Sequence, residues 1–256
     1  MQPKPAIRTI AIVAAALFAV GTPIVQWLTG TIAVGQSRLV NDGDQTLEAA
    51  AYAFSIWSLI YLGLLAYAAY QALPSTRDTP GLRMLGWPSV VAMAGCGAWL
   101  IATTYDAKWA TVAIIVLSAA VLSIPLAKRY PVQDRKDFWL VAVPVSLLAG
   151  WLTIASAINT LTVLTGEGYI DATSAPAWAT GGVILVLLIG MLLTAASKNW
   201  VYPLPIAWGL VAVAVAEQSD RPMVALLALV SAAALVATAG WVATHRSLLL
   251  PIPRQQ

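Results

Sequence analysis

Apolar residues run along this chain in long blocks, and the polar residues gather in short intervals between them. Eight blocks stand out, at roughly 7–28, 50–72, 86–104, 109–127, 138–163, 176–196, 200–217 and 222–244. As helices at about 1.5 Å per residue, most of them reach across a hydrocarbon core of about 30 Å. The pattern predicts an all-α fold, a polytopic membrane bundle of about eight transmembrane helices. The seventh block is the weakest, being short and opening in WVYPLPIAW.

Composition agrees with that reading. Of the 256 residues 60% are hydrophobic and 10% charged, with a mean hydropathy of +0.80. A soluble domain carries about 25% charged residues, so this chain has too little polar surface to stay in water. Lys4 and Arg8 followed by IAIVAAALFAV look partly like a signal peptide and are read as the start of a first span.

Charge orients the spans. The intervals on the N-terminal side hold 11 of the 14 basic residues, and the opposite side keeps only Arg38, Lys108 and Arg221. That opposite side holds eight of the 11 acids: Asp42, Asp44, Glu48, Asp106, Glu167, Asp171, Glu217 and Asp220. By the positive-inside rule both termini face the cytoplasm. Seven or nine spans would scramble the segregation in the second half. No charge is expected inside a span, which argues against a proton pump, a voltage sensor or a retinal Schiff base.

Little else in the sequence bears chemistry. One cysteine, Cys96, excludes an internal disulfide and a Cys-rich metal site. The one histidine, His245, ends the last block, so no imidazole sits at mid-membrane for a haem or chlorophyll. No dinucleotide, P-loop or HExxH pattern occurs, and no nucleophile–base pair is visible. Neither enzymatic activity, a metal nor a required cofactor is expected. The net charge of +3 is spread over membrane-flanking intervals, which excludes nucleic acid as a partner.

The aromatic residues carry the remaining signal. Trp27, Trp87, Trp109, Trp139, Trp178, Trp200 and Trp241 lie near span ends, where indoles prefer the interface. Trp57, Trp99, Trp151 and Trp208 lie deeper. Phe54, Trp57 and Tyr61 follow i, i+3, i+7 spacing, one stripe of a helix. Trp57 and Trp99 fall about 10 Å and about 8 Å below the outer surface. Trp151 and Asn159 sit near one face of the fifth span, among the small residues Ala149, Gly150, Thr153, Ala155, Ser156 and Ala157, which let helices approach closely. If these rings face inward together, they line a pocket for a flat apolar ligand, oriented by the Tyr61 hydroxyl, the Asn159 amide and indole N–H groups. The 29–49 interval, the longest on that side, is placed to close over the mouth. The alternative reading of the rings is ordinary helix packing.

The stretches FSIWSLIYLGLLAYAAYQ and PVSLLAGWLTIASAIN resemble the TspO/translocator-protein family, the tryptophan-rich sensory proteins, and most closely its longer bacterial relatives. The family's aromatic-x-x-Trp-x-x-x-Tyr stripe matches Phe54, Trp57 and Tyr61. Its fifth-helix Pro, Gly-Trp and Asn match Pro144, Gly150, Trp151 and Asn159, and its third-helix Trp matches Trp99. A Trp-x-Pro-Pro stretch before the second helix is absent, and Cys96 stands where the family has Asn. The resemblance implies a TspO-like five-helix membrane core over 1–164 and a three-helix C-terminal membrane extension over 165–256. It also implies a multi-pass protein of the bacterial inner membrane. The ligand-binding set it implies is Phe54, Trp57, Tyr61, Trp99, Trp151 and Asn159, with a porphyrin or similar tetrapyrrole, or a lipid, as ligand and a sensory or delivery role. Membrane lipids, a small apolar ligand, a second copy or a larger membrane complex are the expected partners. A permease for a small lipophilic molecule and an accessory subunit of such a complex are the alternatives.

Overall fold

A computed structural model of the chain describes residues 5–31, 46–76, 79–129 and 132–245. Among them lie eight main helices and no strand: α1 (Pro5–Leu28), α2 (Ile56–Ala72), α3 (Pro80–Thr104), α4 (Lys108–Leu126), α5 (Val143–Gly166), α6 (Ala175–Ser197), α7 (Pro203–Glu217) and α8 (Pro222–Thr244). A 3-10 turn, Ala51–Ser55, leads into α2. A helical turn at Arg135–Asp137 and a π-helical stretch at Phe138–Ala142 lead into α5. Seven of the helical segments are long and apolar enough to cross a membrane. The chain is a polytopic helical membrane bundle, as the hydropathy pattern predicts.

Proline marks many of the starts. Pro80, Pro144, Pro176, Pro203 and Pro222 occupy the first or second position of α3, α5, α6, α7 and α8. At the four of these that open a new helical segment, Pro80, Pro176, Pro203 and Pro222, the missing N–H costs nothing. Pro80 starts α3 ahead of the predicted 86, carrying Arg83 into the helix. Pro144 has no N–H to offer the carbonyl one turn back, and the π-helical stretch lies immediately before it. Asp134 caps that segment by accepting from Asp137 N–H at 2.7 Å. In the loop before α6, the Asp171 carboxylate accepts from the Thr173 hydroxyl and Ser174 N–H. Those donors hold its pKa down at about 2.

Helices α1, α2, α5, α4 and α3 close a ring in that spatial order, each packing on its neighbours and α3 returning to α1. Polar contacts pin the ring's two ends. At the acidic end Gln26 donates to Leu100 O at 2.9 Å, and Lys108 pairs with Glu167 at 3.0 Å. Toward the basic end the buried Tyr67 and Ser89 hydroxyls share a 2.7 Å hydrogen bond. Helices α6 and α7 pack on the far side of α5, and α8 packs on both. The most apolar stretch of the α5 segment is 67% buried, against 28–39% for the other long helices. One helix therefore serves both groups.

Two features depart from the sequence expectation. Arg8 lies inside α1 and is only 6% exposed, its aliphatic stem laid against Gly86. A long stem can run along apolar surface within a bundle. Helix α7 begins at Pro203 instead of 200 and has 15 residues, about 22 Å. The stretch Asn199–Tyr202 before it is non-helical and largely buried along the first half of α5, from Ser146 to Thr153. Several of its polar groups are satisfied by the protein. Asn199 Oδ1 accepts from Val201 N–H at 3.0 Å, Asn199 Nδ2 donates to Ser146 Oγ at 2.6 Å, and the Tyr202 and Thr153 hydroxyls bond at 2.7 Å. Irregular backbone at membrane depth is tolerated only when protein covers it.

Six of the seven interfacial tryptophans are 38–69% exposed. Trp200 is the exception. It belongs to the buried stretch and packs on Phe138 with centroids 6.0 Å apart.

The α5–α7 crossing is close because Gly150 meets the Tyr202 backbone carbonyl and Gly209 meets Ile154. Gly150→Ala is expected to cost about 1–3 kcal/mol by overpacking against backbone that cannot rotate away. Gly181→Ala, which meets nothing within 4 Å, is expected to be neutral. Thermal unfolding of the two variants in detergent checks this.

Candidate functional site

Four of the six expected site residues meet in one aromatic group near the acidic end. The 3-10 turn delivers Phe54, and the first turns of α2 deliver Trp57 and Tyr61. Trp57 and Tyr61 stack at 5.0 Å with planes 28° apart. Phe54 and Trp57 both meet Trp151 edge-to-face, at 6.2 Å and 79° and at 6.3 Å and 83°. Trp151 of α5 is therefore the hub, and at 3% exposure it is embedded in the core. Such T-shaped pairs add about 0.5–1.5 kcal/mol beyond the area they bury.

Trp99 and Asn159 form a second group. Trp99 Nε1–H donates to Asn159 Oδ1 at 3.2 Å, Asn159 Nδ2 donates to Thr111 Oγ1 at 3.1 Å, and Thr111 Oγ1 donates to Lys108 O at 2.6 Å. This chain of bonds crosses α3, α5 and α4. Within it Asn159, 6% exposed, holds the Trp99 indole by its amide oxygen.

Between Trp151 and Asn159 one turn of α5 is loosely covered. Ala155, Ser156, Ala157 and Ile158 are half-buried, following the enclosed run Pro144–Ile154, as are Trp57, Tyr61 and Trp99, while Phe54 is 43% exposed. The accessible surface here consists of ring faces, methyl groups and a phenol hydroxyl. No charged side chain belongs to either group, and no cluster of metal-ligating residues occurs among the described residues. The arrangement suits stacking and shape recognition.

Packing is denser within the aromatic group than an open pocket requires, since the four rings contact one another. A separate apolar trough of about 240 Å³ lies between α1 and α2, lined by alanines with Leu17 and Leu65 at its edges. The 29–49 interval, expected at the mouth, falls largely outside the described residues, which resume at Thr46.

Two participants were not singled out for the site from sequence. Thr111 gives no signal of its own, because its partner lies in another span. Trp208 was noted as deep but set apart from the aromatic region. Its Nε1–H donates to Ala53 O at 3.0 Å, directly before Phe54.

Bundle and aromatic groups together define a multi-pass membrane protein with an uncharged, ring-lined region toward one end. The chain belongs to the TSPO-like protein family, whose model matches residues 5–241. That match runs on through α6, α7 and most of α8, beyond the 1–164 core that the sequence resemblance implies. No curated protein and no solved structure matches the chain.

A double-mutant cycle on Trp99→Phe and Asn159→Leu is expected to give a coupling of about 0.5–1.5 kcal/mol, the net worth of one hydrogen bond. Chemical unfolding followed by circular dichroism measures it. A coupling near zero would mean that Asn159 does not hold the indole.

Proposed function

We propose that this TSPO-like membrane protein binds a flat apolar ligand, a porphyrin or a molecule of similar shape, at the acidic end, with Phe54, Trp57, Tyr61, Trp99, Trp151 and Asn159 forming the site. The observation that carries the reading is the convergence of Phe54, Trp57, Tyr61 and Trp151 from two spans far apart in sequence, with half-buried aromatic surface beside the small-residue turn Ala155–Ile158. Aromatic rings already packed edge-to-face present both faces and edges to a planar guest. Asn159 and Thr111 keep the Trp99 indole oriented. Lacking charges, the site recognises by stacking and shape, which fits a sensory or delivery role. The charge asymmetry of the intervals supports a bacterial inner-membrane protein with both termini in the cytoplasm.

A second reading, a permease for a small lipophilic molecule, is favoured by one observation: the largely buried, non-helical Asn199–Tyr202 packed along Ser146–Thr153 of α5. Broken helices at the midplane are typical of transporters. Flux of a lipophilic dye in proteoliposomes, without an imposed gradient, separates a permease from a binder.

Protoporphyrin IX titration, read by tryptophan quenching, tests the leading reading. Trp57→Ala is expected to weaken binding about tenfold, the worth of one stacked ring. Trp241→Ala, exposed at the end of α8, is expected to leave it within about twofold. Unchanged affinity in Trp57→Ala overturns this site.

A further inference from the structure

We propose that α7 and the start of α8 form a docking track for residues 46–53, the strap leading into the aromatic group, and that the last three helices thereby set where Phe54 and Trp57 sit. The contacts run antiparallel and in register. Trp208 Nε1–H donates to Ala53 O at 3.0 Å, and its ring meets Tyr52 edge-on at 5.3 Å. One turn along α7, Ala212 O accepts Ala50 N–H at 3.0 Å. At the helix end Glu217 Oε1 accepts Glu48 N–H at 2.9 Å. Just beyond, Arg221 donates to Thr46 O at 2.7 Å and pairs with Glu217 Oε2 at 3.2 Å.

Residues 46–50 have no regular structure of their own, so their buried backbone groups need partners from elsewhere. Those partners lie chiefly on the α7–α8 pair. The far edge of the strap is held by α5 and α6. Thr46 and Thr165 share a 2.5 Å hydrogen bond, and Leu47, 1% exposed, approaches Gly182. The strap ends at the buried Ala53, and the next residue is Phe54. Trp208 is therefore a positioning residue. It touches no ring of the proposed site and fixes the carbonyl one residue before the first of them.

This inference takes its consequence for ligand from the proposed function, but its structural part stands alone. Amide hydrogen exchange on the full chain in lipid nanodiscs tests it with Trp208→Phe, which keeps a ring and removes the N–H. A second variant at the other end of the track, Glu217→Ala, keeps the test decisive if the first does not fold. Exchange at residues 48–57 is expected to rise about fivefold in either variant, while residues 143–154 of α5 stay unchanged. No change at 48–57, or an equal rise throughout the chain, overturns the track. Protoporphyrin IX affinity in the same samples separates the two ideas. Wild-type protein that does not bind it ends the functional reading and leaves exchange to decide the track. Raised exchange at 48–57 with wild-type affinity overturns the positioning role of Trp208.

Discussion

Lipid offers no hydrogen bonds, so every polar backbone group at membrane depth must find its partner inside the protein. Helices meet that constraint by themselves, but their association cannot rely on the hydrophobic effect and depends instead on close packing and interhelical hydrogen bonds. In this chain α5 is the most buried helix and the one shared by both groups of helices. It touches α2 and α4 within the ring and α6 and α7 outside it. Its small residues make the approach close enough. Gly150 faces a backbone carbonyl of the Asn199–Tyr202 stretch, and Ser146 and Thr153 supply hydrogen bonds to the same stretch. Without Ser146 and Thr153 the Asn199 amide and the Tyr202 hydroxyl would lose these buried partners.

The aromatic groups take their positions from the same helix. Trp151 and Asn159 both belong to α5, and each anchors one group: Trp151 by ring edges, Asn159 by its amide. Their eight-residue spacing gives a rise of about 12 Å, so the two groups sit at different depths. A planar molecule resting against the Ala155–Ile158 turn would lie between an aromatic ledge and an indole held by an amide. No charge lies in either group, and a charge there would be expensive in a low-dielectric medium.

The fold was largely legible in the sequence because span length and charge segregation are imposed by the bilayer, a constraint that acts on each segment separately. Boundaries such as Leu28, Ala72 and Thr104 follow directly. The break before α7 was only half legible. The short block and its prolines were visible, but a buried irregular stretch depends on Ser146 and Thr153, more than 45 residues away. The Phe54–Trp57–Tyr61 stripe could be read because helical periodicity places those rings on one face. The task of Asn159 could not, since a polar residue in a span identifies itself as valuable without naming its partner, and Thr111 is one of many threonines. Hydropathy likewise divides this chain into segments and says nothing about which segments support which.

That last point bears on how the chain should be partitioned. The resemblance carried by two short motifs suggests a five-helix unit followed by an appendage. The observed contacts are less separable. Trp208, Ala212 and Glu217 all belong to α7, and the residues they hold lie immediately ahead of α2. Tyr202 bonds Thr153 in the middle of the ring's fifth helix. A ring truncated after α5 would expose the Gly150 and Ile154 face of its most buried helix and leave the strap's backbone groups unpaired. In water such groups could turn to solvent, whereas strap residues such as Thr46 and Leu47 are fully buried and have no such recourse. The physical unit that holds the aromatic groups therefore extends through α7, whatever the motif boundaries suggest.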